Sequence, residues 1–109
     1  MHKSIVIISN YNFEDFLKNI NIDYQIFDES YYLINEYTLN DNTTFDYAIV
    51  SNPNSIKQID CLKDGQIIIC NYYFQTSKEN IFLIGKENNS KKGIFEQFQT
   101  VINYLLGNN

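Results

Sequence analysis

Arginine and tryptophan are absent from this sequence, and all eight of its positive charges are lysines. Without guanidinium groups, the chain lacks the planar donor that binds a phosphate through two parallel hydrogen bonds. Acidic residues outnumber the lysines, 13 against 8, so the formal net charge is −5. General nucleic-acid binders gain affinity by neutralising phosphates. The charge balance therefore argues against a function that requires nucleic acid.

Histidine and cysteine are also scarce. The one histidine is His2, and the two cysteines are Cys61 and Cys70, which are too far apart for a Cys-x-x-Cys motif. A Ser–His–acid triad and a metal site built from His and Cys ligands are thereby excluded. The carboxylates show no spacing that singles out a general acid–base pair. We predict no catalytic residue and no metal site.

Long apolar stretches are missing as well. The first apolar run, Ile5 to Ile8, is far shorter than the roughly 20 residues that a membrane-spanning helix needs, and it is too short for a signal peptide. Two cysteines do not make a disulfide framework, so free thiols in a reducing compartment are expected. We predict a cytoplasmic protein without membrane contact, folded as a single domain over residues 1–109.

The apolar pattern that is present predicts an α/β fold. The run at Ile5–Ile8 is typical of a strand in a parallel sheet that is covered on both faces, and further strands are predicted over Phe45–Ser51 and Ile81–Ile84. A short helix is predicted over Phe13–Asn19, and a strand over Tyr24–Phe27. Strand, helix and strand together form a compact βαβ unit.

The middle of the chain is less regular. Tyr31–Leu39 is rich in strand-forming residues, and we predict that it forms a hairpin with Phe45–Ser51. A short helix capped by Ser55 is expected over Ser55–Leu62, followed by a strand over Gln66–Cys70. Tyr72, Tyr73 and Phe74 follow as an aromatic cluster, which either covers the core or marks a contact surface.

The end of the chain predicts one long amphipathic helix, beginning near Ser90. Its apolar stripe is Ile94, Phe98, Val101, Ile102 and Leu105. Its solvent-facing side is predicted to be Glu96, Gln97, Gln99, Thr100 and Asn103.

Four segments occur in a recognisable order. Phe45–Val50 precedes Pro53-Asn54, Leu62–Ile69 holds an acidic-Gly pair before a strand, Gln75-Thr76-Ser77 follows, and Asn80–Gly85 leads to the final helix. This order resembles the C-terminal part of thioredoxin-reductase-like flavoproteins, the FAD-dependent pyridine nucleotide-disulfide oxidoreductases. The resemblance implies a truncated FAD/NAD(P)-binding Rossmann-like domain with a mostly parallel sheet and packing helices. The inserted pyridine-nucleotide domain of that family is absent.

The resemblance also implies positions for a cofactor. Asp28 or Glu29, at the end of the second strand, would bind a ribose hydroxyl. Gly85, Lys86 and Glu87 stand where the family's Gly-Asp pair contacts the flavin. Lys86 stands where the family has an aspartate, and a lysine side chain has no hydrogen-bond acceptor. The neighbouring Glu87 could substitute for that aspartate.

Other residues depart from what a flavin needs. The turn after the first strand is Ser9-Asn10-Tyr11-Asn12-Phe13, and no glycine precedes Gly65, whereas a dinucleotide fingerprint requires glycines there. The last helix carries Phe95, Phe98 and Tyr104 where the family has small residues against the flavin ring.

We therefore predict a non-catalytic, degenerate relative of this family. It would hold no cofactor and would act as a regulatory or protein-binding domain, with another protein or a second copy of itself as partner. Two alternatives stay open. One is a small flavin- or nucleotide-binding oxidoreductase subunit that completes its site with another chain. The other is a domain that senses an adenine nucleotide through Asp28 and Glu29.

Overall fold

The structure is a computed structural model that describes residues 3–88 and 90–107. It contains eight strands and two α-helices. The strands are β1 (Ser4–Ile8), β2 (Asp23–Phe27), β3 (Leu33–Asn35), β4 (Thr38–Leu39), β5 (Tyr47–Val50), β6 (Lys63–Asp64), β7 (Ile67–Ile68) and β8 (Ile81–Leu83). The helices are α1 (Glu14–Leu17) and α2 (Ile94–Gly107), and two 3-10 helices span Pro53–Ile56 and Lys86–Asn88.

A four-stranded parallel sheet in the order β2-β1-β5-β8 forms the centre of the molecule. In its register, Ile5 of β1 lies opposite Tyr24 of β2 and Tyr47 of β5. After their first residues, Ser4 and Tyr47, the central strands are fully buried runs of aliphatic residues, as a parallel sheet covered on both faces requires. The predicted α/β class is confirmed, and the topology is compatible with a small Rossmann-like domain.

The two helices cover one face of the sheet. This face of the core contains Ile5, Ile7, Phe13, Leu17, Ile49, Phe74, Phe82, Ile84, Phe98, Val101, Ile102 and Leu105. The predicted α2 stripe is confirmed, because Phe98, Val101 and Leu105 are each at most 1% exposed. Helix α1 is a single turn, shorter than the predicted Phe13–Asn19 helix.

Irregular chain and two small hairpins cover the other face. Its core contains Val6, Ile8, Leu33, Leu39, Phe45, Ala48, Val50, Ile56, Ile59, Cys61, Ile68, Ile81 and Leu83. The hairpins are antiparallel: β3 pairs with β4, and β6 pairs with β7. Both α-helices therefore lie on the first face, whereas the 3-10 helix Pro53–Ile56 lies on this second face.

The predicted hairpin between Tyr31–Leu39 and Phe45–Ser51 is wrong. Strands β3 and β4 lie within the first segment and pair with each other, while β5 pairs in parallel with β1 and β8. The continuous aliphatic run of β5 suits a central position, because both of its faces must be covered.

The predicted helix Ser55–Leu62 is replaced by the 3-10 helix Pro53–Ile56. Asn52 caps it by accepting the Asn54 amide at 2.9 Å, so the helix begins two residues earlier than predicted. Pro53 fixes that start, since proline suits the first helical position. The predicted strand Gln66–Cys70 is confirmed only as the short strand β7, which lies outside the main sheet.

Residues 74–76 cover the outer edge of β8. The Thr76 amide donates to the Ile81 carbonyl, and the Leu83 amide donates to the Phe74 carbonyl, both at 2.9 Å. Phe74 adopts a left-handed backbone (φ 62°) to make this turn and is buried, whereas Tyr72 is 93% exposed. The aromatic cluster is thus divided between the core and the surface.

Candidate functional site

The strand order places one point of the sheet in the position where α/β proteins bind ligands. From β1 the chain passes to β2 on one side and then to β5 on the other, so the connections diverge between β1 and β5. Ligands of open parallel sheets bind in the crevice beyond the carboxyl ends of the strands at such a point. The residues that follow β1, β2, β5 and β8 form this edge of the sheet, here called the carboxyl edge.

Glu29 lies at the centre of the carboxyl edge. Its Oε1 accepts the Asn52 side-chain amide at 3.0 Å, and its Oε2 accepts the Ser51 hydroxyl at 3.1 Å. The Asn10 amide also donates to Oε2 at 3.3 Å, and the Glu29 amide donates to Asn10 Oδ1 at 3.1 Å. The bond from Asn52 is the main cause that lowers the pKa of the Glu29 carboxyl, against the opposing effect of its partial burial. Glu29 thus connects the ends of β1, β2 and β5 as a carboxylate.

Three amide donors of the segment from β1 to the start of α1 are bonded to side chains of the chain itself. The Asn10 amide donates to Glu29, the Tyr11 amide donates to Ser9 Oγ at 3.1 Å, and the Glu14 amide donates to Asn12 Oδ1 at 2.9 Å. In a dinucleotide site, amides of this segment point at the pyrophosphate. Here side chains of the chain already accept from these three.

The end of β8 is held by a buried glutamine. Gln97 Oε1 accepts the Gly85 amide at 2.8 Å, and Gln97 Nε2 donates to the Gly85 carbonyl at 3.2 Å and to the Lys92 carbonyl at 3.0 Å. Gly85 has φ 118°, and a Cβ atom there would lie 3.3 Å from the Ser51 carbonyl oxygen. Gly85 therefore brings β8 against the segment after β5 in a way that other residues would strain.

Aromatic rings fill the space beside this edge on the helix face. Phe13 is fully buried and stacks on Phe98 with ring centroids 4.0 Å apart. Phe95 contacts Tyr11 and Phe16 with centroid distances of 6.1 and 5.8 Å. The turn after β1 and the start of α2 are thus packed against each other through side chains.

The predicted cofactor residues do not form one site. Glu29 and Gly85 both lie at the carboxyl edge, and both are next to Ser51. Asp28 is exposed and accepts from the amide and hydroxyl of Ser30, whose bonds lower the pKa of its carboxyl. Lys86 is exposed in the 3-10 helix after β8. The backbone of Glu87 is in the same helix, and its side chain lies outside the described part of the chain.

Several residues of the carboxyl edge are missing from the sequence prediction. Ser9, Asn10, Ser51 and Asn52 follow directly after β1 and β5, so polar residues at strand ends are the signal that could have found them. Gln97 was predicted to face solvent, and this is wrong because the residue is 2% exposed. Its amide matches both backbone groups of Gly85, which a hydrophobic residue could not do.

The two thiols are both shielded from solvent. Cys61 is buried and Cys70 is partly buried, and both are free. Burial raises the pKa of Cys61 and raises the pKa of Cys70 to about 11. The thiolate, which is the nucleophile, is therefore scarce at neutral pH.

Comparisons with known proteins do not identify a family. No family model matches the chain, and neither a curated protein nor a solved structure is similar enough to match it. The flavoprotein resemblance therefore stays a prediction. Within residues 3–88 and 90–107, no helix is long and apolar enough to cross a membrane. In the same part of the chain, no group of three or more His, Cys, Asp or Glu residues could hold a metal ion.

Proposed function

We propose that this chain is a non-catalytic, degenerate relative of thioredoxin-reductase-like flavoproteins that acts by binding protein. The observation that carries the proposal is the internal use of the amide donors in the β1–α1 turn. A dinucleotide would have to displace Glu29 and Ser9 from those amides and would also meet the packed rings of Tyr11 and Phe95. Such a displacement would leave the side chains of Glu29 and Ser9 without these hydrogen bonds, which costs free energy.

Exposed apolar side chains support protein binding as the remaining role. The outer face of the β6–β7 hairpin presents Leu62, Ile67 and Ile69, which are 61%, 56% and 44% exposed. In the pairing of β6 with β7, these residues lie on the face opposite the buried Ile68. We call these three residues the hairpin face. Contiguous exposed apolar surface of this kind is typical of an interaction site.

A second copy of this chain is the partner that we propose for the hairpin face. Residues 62–69 carry one lysine and one aspartate; Lys63 pairs with the buried Ile68, and Asp64 pairs with Ile67 on the hairpin face. Two copies meeting at their hairpin faces would bury the apolar side chains of this face against each other. A homodimer formed in this way would be symmetric, with the same patch on both partners.

The test is the mass in solution, measured by light scattering over a range of protein concentrations. We expect a dimer, which Ile67→Glu shifts to a monomer, because the new carboxylate lies opposite Asp64 and would be buried unpaired in the interface. Ile34→Glu is the matched control, since Ile34 is 41% exposed on β3 and lies outside the hairpin face. It should leave the dimer intact.

A strictly monomeric mass at every concentration would contradict the homodimer. If the same chain also captured no partner in a pull-down, the protein-binding proposal itself would fail.

A nucleotide-binding role is the second candidate, and the position of Glu29 favours it. Its carboxylate stands at the end of β2, where a ribose hydroxyl would be accepted in a dinucleotide fold. Flavin absorbance of the purified protein would support a cofactor-binding subunit. A thermal shift with ATP or AMP that Glu29→Gln abolishes would support a nucleotide sensor, whereas an unchanged melting temperature would exclude it.

A further inference from the structure

A second candidate site, a cavity, lies at the opposite edge of the sheet from the carboxyl edge. It has a volume of about 880 Å³ and lies beside the amino ends of β1, β5 and β8. Its walls include Asp46, Tyr47 and Asn80, which lie at these strand ends, together with side chains from other parts of the chain. We call this cavity the amino-edge basin. Its volume suits a small molecule.

The wall of the amino-edge basin contains acceptor atoms that receive no hydrogen bond from the described residues. Asn80 is 8% exposed; its side-chain amide donates to the Glu36 carbonyl at 2.6 Å, while its Oδ1 accepts no hydrogen bond from the described residues. Asp46 accepts the Ser4 amide through Oδ2 at 2.9 Å. Within the described part of the chain, its second carboxylate oxygen and the carboxylate of Glu79 accept none. A ligand that satisfies these atoms must be a hydrogen-bond donor.

The charges of the basin also favour a cation. Lys78 is paired with Glu36 at 3.2 Å, so this pair is neutral. Lys3, the other lysine of the wall, contributes one positive charge against the two negative charges of Asp46 and Glu79. The basin is therefore acidic on balance, within a chain that is itself acidic.

The contacts of Lys3 show how an ammonium group is held here. Its Nζ donates to the Leu105 carbonyl in the last turn of α2 at 2.9 Å and lies 5.4 Å from the centroid of the Tyr47 ring. The carboxyl end of a helix carries a partial negative charge, and a tyrosine face attracts cations. Tyr37 and Tyr104 add two more rings to the same wall.

We propose that the amino-edge basin binds a small organic cation with a primary ammonium group. The ammonium would donate to Asn80 Oδ1 and to the carboxylates of Asp46 and Glu79, and the tyrosine rings would contact its alkyl part. The unused oxygens of Asn80, Asp46 and Glu79 are acceptors, and with the aromatic faces they favour a cation over an anion. This site is separate from the hairpin face and does not depend on the protein-binding role.

Isothermal titration calorimetry with 1,4-diaminobutane tests the proposal, and 1,4-butanediol serves as a neutral probe of the same length. We expect saturable one-to-one binding of the diamine and no heat of binding for the diol. Asp46→Asn should weaken diamine binding roughly tenfold, because it removes one charge-assisted contact. It keeps an oxygen that can accept the Ser4 amide. Tyr37→Leu, at a 56% exposed residue, should weaken binding by about threefold through the lost ring.

Asp64→Asn is the matched control, because it removes one negative charge on the β6–β7 hairpin, away from the basin. It should bind the diamine as the unmodified chain does. Amide NMR shifts of the unmodified chain provide a second readout that needs no variant, and we expect them to concentrate at Asp46 and Asn80. The proposal is wrong if the diamine does not bind, if Asp46→Asn and Asp64→Asn bind it equally, or if the shifts are spread over the acidic surface.

Discussion

At the scale of single residues, Glu29 lies at the strand ends where dinucleotide-binding proteins have a glycine-rich turn and a bound ligand. It accepts donors from the segments after β1 and β5 and so joins three strand ends. Because its carboxylate is ionised and hydrogen-bonded, the folded state favours the charged form. The contribution of Glu29 to stability should therefore depend on pH.

Glu29→Gln should lower the free energy of unfolding by about 1 kcal/mol at neutral pH, a value discounted for partial exposure. The pKa of Glu29 is lowered in the folded state. Its contribution to the free energy of unfolding is therefore complete above the pKa of the unfolded state, about 4.3. It is lost as the pH falls through the folded pKa.

Urea unfolding at neutral pH and at about pH 3 checks this. The difference in the free energy of unfolding between Glu29→Gln and the unmodified chain should shrink in acid. Asp23→Asn, at the other end of β2, is the control. A difference that stays constant or grows in acid would contradict the assigned role of Glu29.

Gly85 is a second residue whose identity is fixed by geometry. Gly85→Ala should destabilise the fold by about 1–3 kcal/mol, because the backbone has φ 118° and the new Cβ would crowd the Ser51 carbonyl. At Gly93, nothing lies within 4 Å of an added Cβ, so Gly93→Ala should change stability by less than about 0.5 kcal/mol. Chemical unfolding measures both, and equal effects would refute the argument.

At the scale of elements, the sequence predicted those parts whose apolar pattern is set by burial. The runs in β1, β5 and β8 and the stripe of α2 were predicted correctly, because a strand covered on both faces and an amphipathic helix each leave a distinct pattern. Strand pairing in the middle of the chain was predicted wrongly, since it depends on contacts between residues far apart in sequence. The same reason hid Ser9, Ser51 and Gln97, whose partners lie on other elements.

Gln97 joins two elements, α2 and the end of β8. Gln97→Met should cost about 1–3 kcal/mol, because it leaves the buried amide of Gly85 without its partner and removes one of the donors to the Gly85 carbonyl. Gln99→Met is the matched control on the same helix; Gln99 is half-buried and donates only to Asn103, so its loss should cost less than about 0.5 kcal/mol. Hydrogen exchange of the Gly85 amide should accelerate only in the Gln97 variant, and unchanged exchange would contradict the assignment.

At the scale of the whole molecule, the two edges of the sheet differ in kind. At the carboxyl edge, where parallel sheets usually bind ligands, the amides of Asn10 and Tyr11 are bonded to side chains of the chain, and rings pack the helix face. The amino edge has a cavity with acceptors that no described residue satisfies. The hairpin face, with its exposed apolar side chains, is the surface through which we propose that the chain binds protein.

The melting temperature of the purified chain, measured with increasing FAD, tests the closed carboxyl edge most directly. We expect no change in the melting temperature, because the Asn10 and Tyr11 amides, which lie where a pyrophosphate would bind, already donate to Glu29 and Ser9. A ligand present at a hundred times its Kd stabilises the folded state by about 2.7 kcal/mol, which would raise the melting temperature of a chain of this size on the order of 10 °C. A saturable rise of that size would contradict the account.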